Sequence, residues 1–80
     1  MEDNEILHKI NELSDEEHRL LHKGEHGGLD EGEDTQLKDI KVELDRLWDL
    51  LRQRRARRHA GLSPDGAEER PAAIVERYQQ

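Results

Sequence analysis

From Leu37 the apolar residues recur at Ile40, Leu44, Leu47 and Leu51 in alternating steps of three and four, and Arg54 and Arg58 continue the series. A mean spacing of 3.5 residues is the seam of a helix packed along another helix, whereas a half-buried strand would alternate every second residue. The seam predicts a helix over about 35–60, roughly 39 Å long at 1.5 Å per residue. Asp34 or Thr35 is positioned to cap its start and Gly61 to stop it. Trp48 lies beside the seam, and Leu50 lies on its other flank.

A second series supplies the partner. Ile6, Ile10, Leu13, Glu17 and Leu20 are spaced by four, three, four and three, and Leu7 and Leu21 widen the stripe. This predicts a helix over about 4–23, capped by Asp3 or Asn4 and running through Ser14 without a break, because the apolar phase does not shift there. GEHGGLDEGED (24–34) reads as the intervening loop. Two helices joined this way pack most simply as an antiparallel hairpin, here over 1–61. Residues 62–80 form a tail. Ser63-Pro64-Asp65-Gly66 has the residue order of a type I turn, and Pro71 can open a short helix over 71–78 in which Ile74 and Tyr78 share a face.

Composition limits how this hairpin is stabilised. Of 80 residues 31% are hydrophobic and 41% charged, with no Phe and no Cys, so neither a large core nor a disulfide is available. Both predicted helices carry apolar stripes wider than a two-stranded seam needs. The fold class expected is therefore all-α, a coiled-coil-like hairpin with a tail, pairing as a homodimer into a four-helix bundle. No apolar run approaches the roughly 18 residues of a membrane span, and the acidic N-terminus is unlike a signal peptide. The expectation is a cytoplasmic protein with no membrane partner.

The net charge of −7 is unevenly distributed: 3 Lys/Arg stand against 12 Asp/Glu in residues 1–34, and 8 against 4 in residues 35–60. RQRRARR (52–58) concentrates the basic charge. A turn near residue 29 sets residue i roughly opposite residue 58 − i. Glu2, Asp3 and Glu5 then fall near Arg54, Arg55 and Arg57, Glu12 near Arg46, and Glu17 near Lys41. The arginines also sit at a helix C-terminus, which favours cations. The preferred reading is a charge zipper that orients the hairpin. A docking surface for an unidentified protein, built from Arg52, Arg54, Arg55, Arg57 and Arg58, stands beside it. Nucleic acid ranks lower, because no aromatic residue lies among the arginines and nearby acids repel phosphate.

Other chemistry is sparse. His18, His22 and His26 recur every fourth residue, a spacing that can clamp a metal, but Gly24 is expected to end the helix first and the His-Glu-x-x-His order is missing. No cofactor is expected. Glu17 and His18 read as a buried polar element in need of a partner, and Trp48 as a core or interface anchor. Ser14 and Ser63 lack a nucleophile-elbow setting, so the chain reads as non-enzymatic.

EEHRLL (16–21), LDRLWDLLRQRRARR (44–58), RP (70–71) and VERY (75–78) together resemble a family of small uncharacterised actinobacterial proteins, a domain of unknown function. The resemblance covers nearly the whole chain. It implies a bacterial cytoplasmic protein with two main helices and carries over no activity. The expected function is a small protein–protein interaction module, with nucleic-acid association through Arg52–Arg58 as the alternative.

Overall fold

The computed structural model describes the backbone of residues 1–78 and the side chains of residues 1–75. Helix α1 spans Asp3–Glu25 and helix α2 spans Glu31–His59. A single 3-10 turn follows at Pro64–Gly66, and a short helix α3 at Ala72–Tyr78. No strand occurs among the described residues. The long helices lie antiparallel, and the tail folds back so that the 3-10 turn and α3 both rest on α2.

The connection is shorter than the eleven-residue stretch 24–34 suggests, because α2 begins four residues before the expected start. Asp30 is its cap: the Glu33 N–H donates to Asp30 Oδ1 at 2.7 Å, and the Asp30 N–H donates back to Glu33 Oε1 at 3.3 Å. This reciprocal capping box satisfies two of the free amides at the helix start and outweighs the cost of carrying Gly32 inside the first turn. Gly24 is likewise inside α1 and does not end it. Leu29 packs beside it, 3.5 Å from where a Cβ would stand. The chain reverses at Gly28, whose φ of 82° is a conformation other residues rarely adopt. At the start of α1 the cap is Glu2, whose N–H donates to Glu5 Oε1 at 3.3 Å.

The core follows the two seams. Ile6, Ile10 and Leu20 of α1 are buried against Leu37, Ile40, Leu44, Leu47, Leu50 and Leu51 of α2, with Leu13, Leu29 and Ala67 partly buried around them. Each leucine or isoleucine contributes about 1.5–3 kcal/mol when fully buried. Leu50 is buried on the flank of the α2 seam opposite Trp48, toward the side where the tail lies. Among the described side chains of α3, Val75 is buried, while Ile74 is 41% exposed. The expected Ile74 face is thus turned outward; the Tyr78 side chain lies outside the described residues. α2 ends as Gly61 takes φ 76° and the Leu62 N–H donates to the Arg57 carbonyl at 2.8 Å.

The Asp30 box predicts that Asp30→Ala lowers the unfolding free energy by about 1 kcal/mol. Urea denaturation followed by circular dichroism checks it. Loss of the same amount in Thr35→Ala, with none in Asp30→Ala, would place the helix start where the loop composition first suggested.

Candidate functional site: the arginine end and the open flank

Arg54 occupies a seam position where a leucine would otherwise stand, and it is 2% exposed. Its Nε donates to Asp3 Oδ1 at 2.5 Å, its Nη1 donates to Asp65 Oδ1 at 3.2 Å, and its Nη2 lies 3.7 Å from Glu2 Oε2. One guanidinium thereby joins the start of α1, the end of α2 and the tail turn. Arg58, one turn on, donates to the other oxygen of Asp3 at 2.5 Å. Arg57 donates from Nε to the Ser63 carbonyl, and its guanidinium lies over Gly66, where a Cβ would overlap it. Ser63 in turn caps the 3-10 turn, its Oγ accepting from the Asp65 N–H at 3.3 Å.

A second polar cluster fastens the tail further along α2. Asp49 is 1% exposed and meets Arg70 at two points, one of them Nε to Oδ2 at 2.8 Å. Gln53 donates to Asp49 Oδ2 at 3.0 Å and to the Glu68 carbonyl at 2.7 Å. Arg46 Nε donates to the Arg70 carbonyl at 2.9 Å and lies 3.9 Å from Glu69 Oε1, while its Nη1 lies 3.5 Å from Glu43 Oε2. Sequence reasoning missed this cluster. The signal for it is that Arg46, Asp49, Leu50 and Gln53 are spaced by three and four, a second helical face turned away from α1.

These contacts revise the expected site. Of the five arginines read as an interaction surface, Arg54 is buried, and Arg57 and Arg58 are held by the protein's own acceptors. Arg52 and Arg55 are exposed and make no ion pair among the described residues. Arg46 turns to the tail and not to Glu12, because it lies on the far side of α2 from α1; Glu12 instead pairs with His8 at 2.7 Å. Glu17 is half-buried, and among the described residues no ion pair joins it to Lys41, which is exposed. His18 is exposed, since one residue beyond Glu17 turns about 100° further from α2. His22 packs against His26, ring centroids 4.3 Å apart, without His18. Among the described residues no three His, Asp or Glu side chains converge as metal ligands.

Trp48, read as a core or interface anchor, is not in the core: it is 45% exposed. One residue past buried Leu47, it is carried about 100° round α2 and off the seam. Leu7 and Leu21 are also open, 37% and 40% exposed. Residues seven apart nearly eclipse on a helix, so Leu7, Ser14 and Leu21 form one column and Asp34, Lys41, Trp48 and Arg55 another. In an antiparallel pair both columns fall on the same side. The tail contacts of Arg46, Asp49 and Gln53 lie 100° or more from Trp48 round α2, by about 100° per residue. One flank of the hairpin is therefore strapped by the tail and the other is open.

An all-helical hairpin with a strapped-back tail and two internal arginine–aspartate clusters is a class of small helical protein in which charge, more than core volume, sets the arrangement. The chain belongs to the family described as "Protein of unknown function (DUF2630)", which it matches over residues 2–80. It is 49% identical over 77 residues to the uncharacterized protein Mb0922c of Mycobacterium bovis and, equally, to the uncharacterized protein Rv0898c of Mycobacterium tuberculosis. In each case 95% of this chain and 88% of the relative are covered. No solved structure matches the chain. Among the described residues no helix is long and apolar enough to cross a membrane.

Asp3 and Asp49, one in each cluster, make stability depend on pH with one sign, and Glu43 beside Arg46 with the other. Hydrogen bonds from Arg54 and then Arg58 hold Asp3 below the ordinary carboxylate range, and those from Arg70 do the same for Asp49 against the opposing effect of burial. What such carboxylates contribute is complete above their unfolded value of 3.8 and is lost as pH falls through the lowered one. Burial, and next the neighbouring Glu69, push Glu43 upward against Arg46 and Lys9. Its contribution is complete below the unfolded value of 4.5 and is lost as pH rises through the raised one. Glu43→Gln should therefore raise the urea midpoint at pH 7 and leave it unchanged at pH 4. Asp49→Ala should cost about 1.5–3 kcal/mol. Hydrogen exchange should then speed in α3 before it speeds in α1; equal speeding in both would deny the tail a separate fastening.

Proposed function

We propose that the chain is a small, non-enzymatic, cytoplasmic protein-interaction module that works as a homodimer, two hairpins meeting through their open flanks as a four-helix bundle. The observation that carries this is the exposure of Leu7, Leu21 and Trp48 along one side of the hairpin. In a chain with so few large apolar residues, leaving its one tryptophan and two leucines in a single strip is costly unless something covers them. A second copy is favoured by charge. The protein as a whole carries −7, but the open flank presents Lys41, Arg52 and Arg55 against Asp34, Asp45 and Glu25. It is the side on which two such chains approach with least repulsion. A standard interface takes about 800 Å² from each partner, roughly a seventh of the 5645 Å² accessible surface here.

The nucleic-acid reading loses ground to the same geometry. With Arg54 buried and Arg57 and Arg58 engaged by internal acceptors, Arg52 and Arg55 are what remains of RQRRARR for phosphate, and two charges give weak, steeply salt-dependent binding.

Sedimentation equilibrium at tens of micromolar should give twice the 9.4 kDa chain mass. Trp48→Ala should weaken self-association by roughly 30-fold, as for an interface anchor costing about 2 kcal/mol. A monomer at that concentration would defeat the reading. So would micromolar binding of labelled DNA or RNA at 50 mM salt that disappears in the Arg52→Gln, Arg55→Gln double variant, with no self-association alongside it.

A further inference from the structure

Resting on the dimer reading above, we infer that the second copy docks with its turn at the opposite end, so that Arg55 of each chain meets Asp34 of the partner subunit and Leu7 meets Leu21 of the partner subunit. The open flank is self-complementary in that orientation. On α1, Leu7 and Leu21 stand seven residues either side of Ser14. On α2, Arg55 and Asp34 stand at equal distances from a point between Leu44 and Asp45, and Trp48 and Lys41 about the same point.

The two midpoints lie almost level in the folded hairpin. Asp3 contacts Arg54 and Lys23 contacts Glu33 across it, a register that places Ser14 beside Val42 and Glu43. The α2 midpoint is two residues further on, roughly 3 Å along the axis. A single two-fold axis crossing the flank there exchanges leucine with leucine on α1 and base with acid on α2. It also sets Lys41 against the Trp48 ring of the partner subunit, an aromatic face suited to a cation. Arg55 and Lys41 are free for this, as neither makes an ion pair among the described residues, and Asp34 has an exposed bridge to Lys38 at 3.1 Å.

The alternative, with both turns at one end, lays α1 on α2 of the partner subunit. Glu25 stands five full turns from Leu7 and so shares its column. It would then face Asp34 of the partner subunit, acid on acid. Arg55 would face the first turn of α1, where Asp3 is already held by Arg54 and Arg58.

The chain has no cysteine, so one introduced cysteine is a unique label. Gly27 accepts it, having open space where its Cβ would stand. Gly27→Cys protein, spin-labelled and shown by sedimentation to be dimeric, should give a label separation of roughly 40 Å, close to the length of α2. A separation within about 20 Å, near the spacing of packed helices, would put both turns at one end and overturn this inference while leaving the dimer standing. A monomer would overturn the dimer reading and this inference together. Arg55→Glu should weaken dimerisation by about tenfold or more, and adding Asp34→Arg to the same chain should restore it. A long separation with no effect of these charge changes would keep the orientation and reject the Arg55–Asp34 pairing.

Discussion

A guanidinium in a seam position is the constraint on which this structure turns. Arg54 continues the series Leu37, Ile40, Leu44, Leu47, Leu51, and a leucine there would have sealed the hairpin's open end by burial alone. The arginine must instead be matched, since a buried charge without partners is strongly unfavourable. Asp3 and Asp65 provide the match from two different segments. Satisfying one side chain therefore requires α1 to begin beside the end of α2 and the chain to double back just after Gly61. Such a pair adds little net stability compared with apolar packing, but it penalises arrangements that leave the charge unmatched. In a chain that is 41% charged, specifying the fold through penalties of this kind is an available route when core volume is scarce.

The same logic explains why the tail is part of the domain. Leu50 and Asp49 form a second face on α2, and without the tail that face would leave a leucine and a carboxylate exposed. Val75 covers apolar surface while Arg70 and Gln53 complete Asp49. Gln53 also accounts for a backbone carbonyl, that of Glu68, and Arg46 for that of Arg70. An irregular segment lying on a helix needs such partners for its peptide groups.

The helical hairpin was readable in the sequence because its signal is a period, and a period survives without knowledge of what lies opposite. Ile6, Ile10 and Leu20 and the leucines of α2 are buried where their spacing placed them. The opposition of Asp3 to the arginine end followed from the antiparallel register alone. What could not be read were features that depend on the third dimension of each helix. Trp48 and Leu47 are adjacent in sequence and point about 100° apart; spacing put Leu47 on the seam, but it could not say whether another segment would cover Trp48 beside it. Arg46 was matched to Glu12 by level, but level says nothing about which side of α2 a residue occupies. The early start of α2 was hidden by glycines that suggest a loop, whereas the Asp30–Glu33 box acts locally and prevails over them.

Taken together, these contacts divide RQRRARR into two functions by helical phase. Arg54 and Arg58 lie toward α1 and face Asp3, Arg54 also facing Glu2 and Asp65, and Arg57 lies under the tail. Arg52 and Arg55 fall on the phase of Trp48, the one sector of α2 that neither α1 nor the tail covers. Five arginines in seven residues spread over about 220° of a helix's circumference, more than one face, so they cannot serve a single surface. The inward members orient the hairpin, and the outward members place positive charge on a flank of an otherwise acidic protein. The second effect depends on the first, because the hairpin and the tail engage the inward arginines and leave Arg52 and Arg55 turned outward.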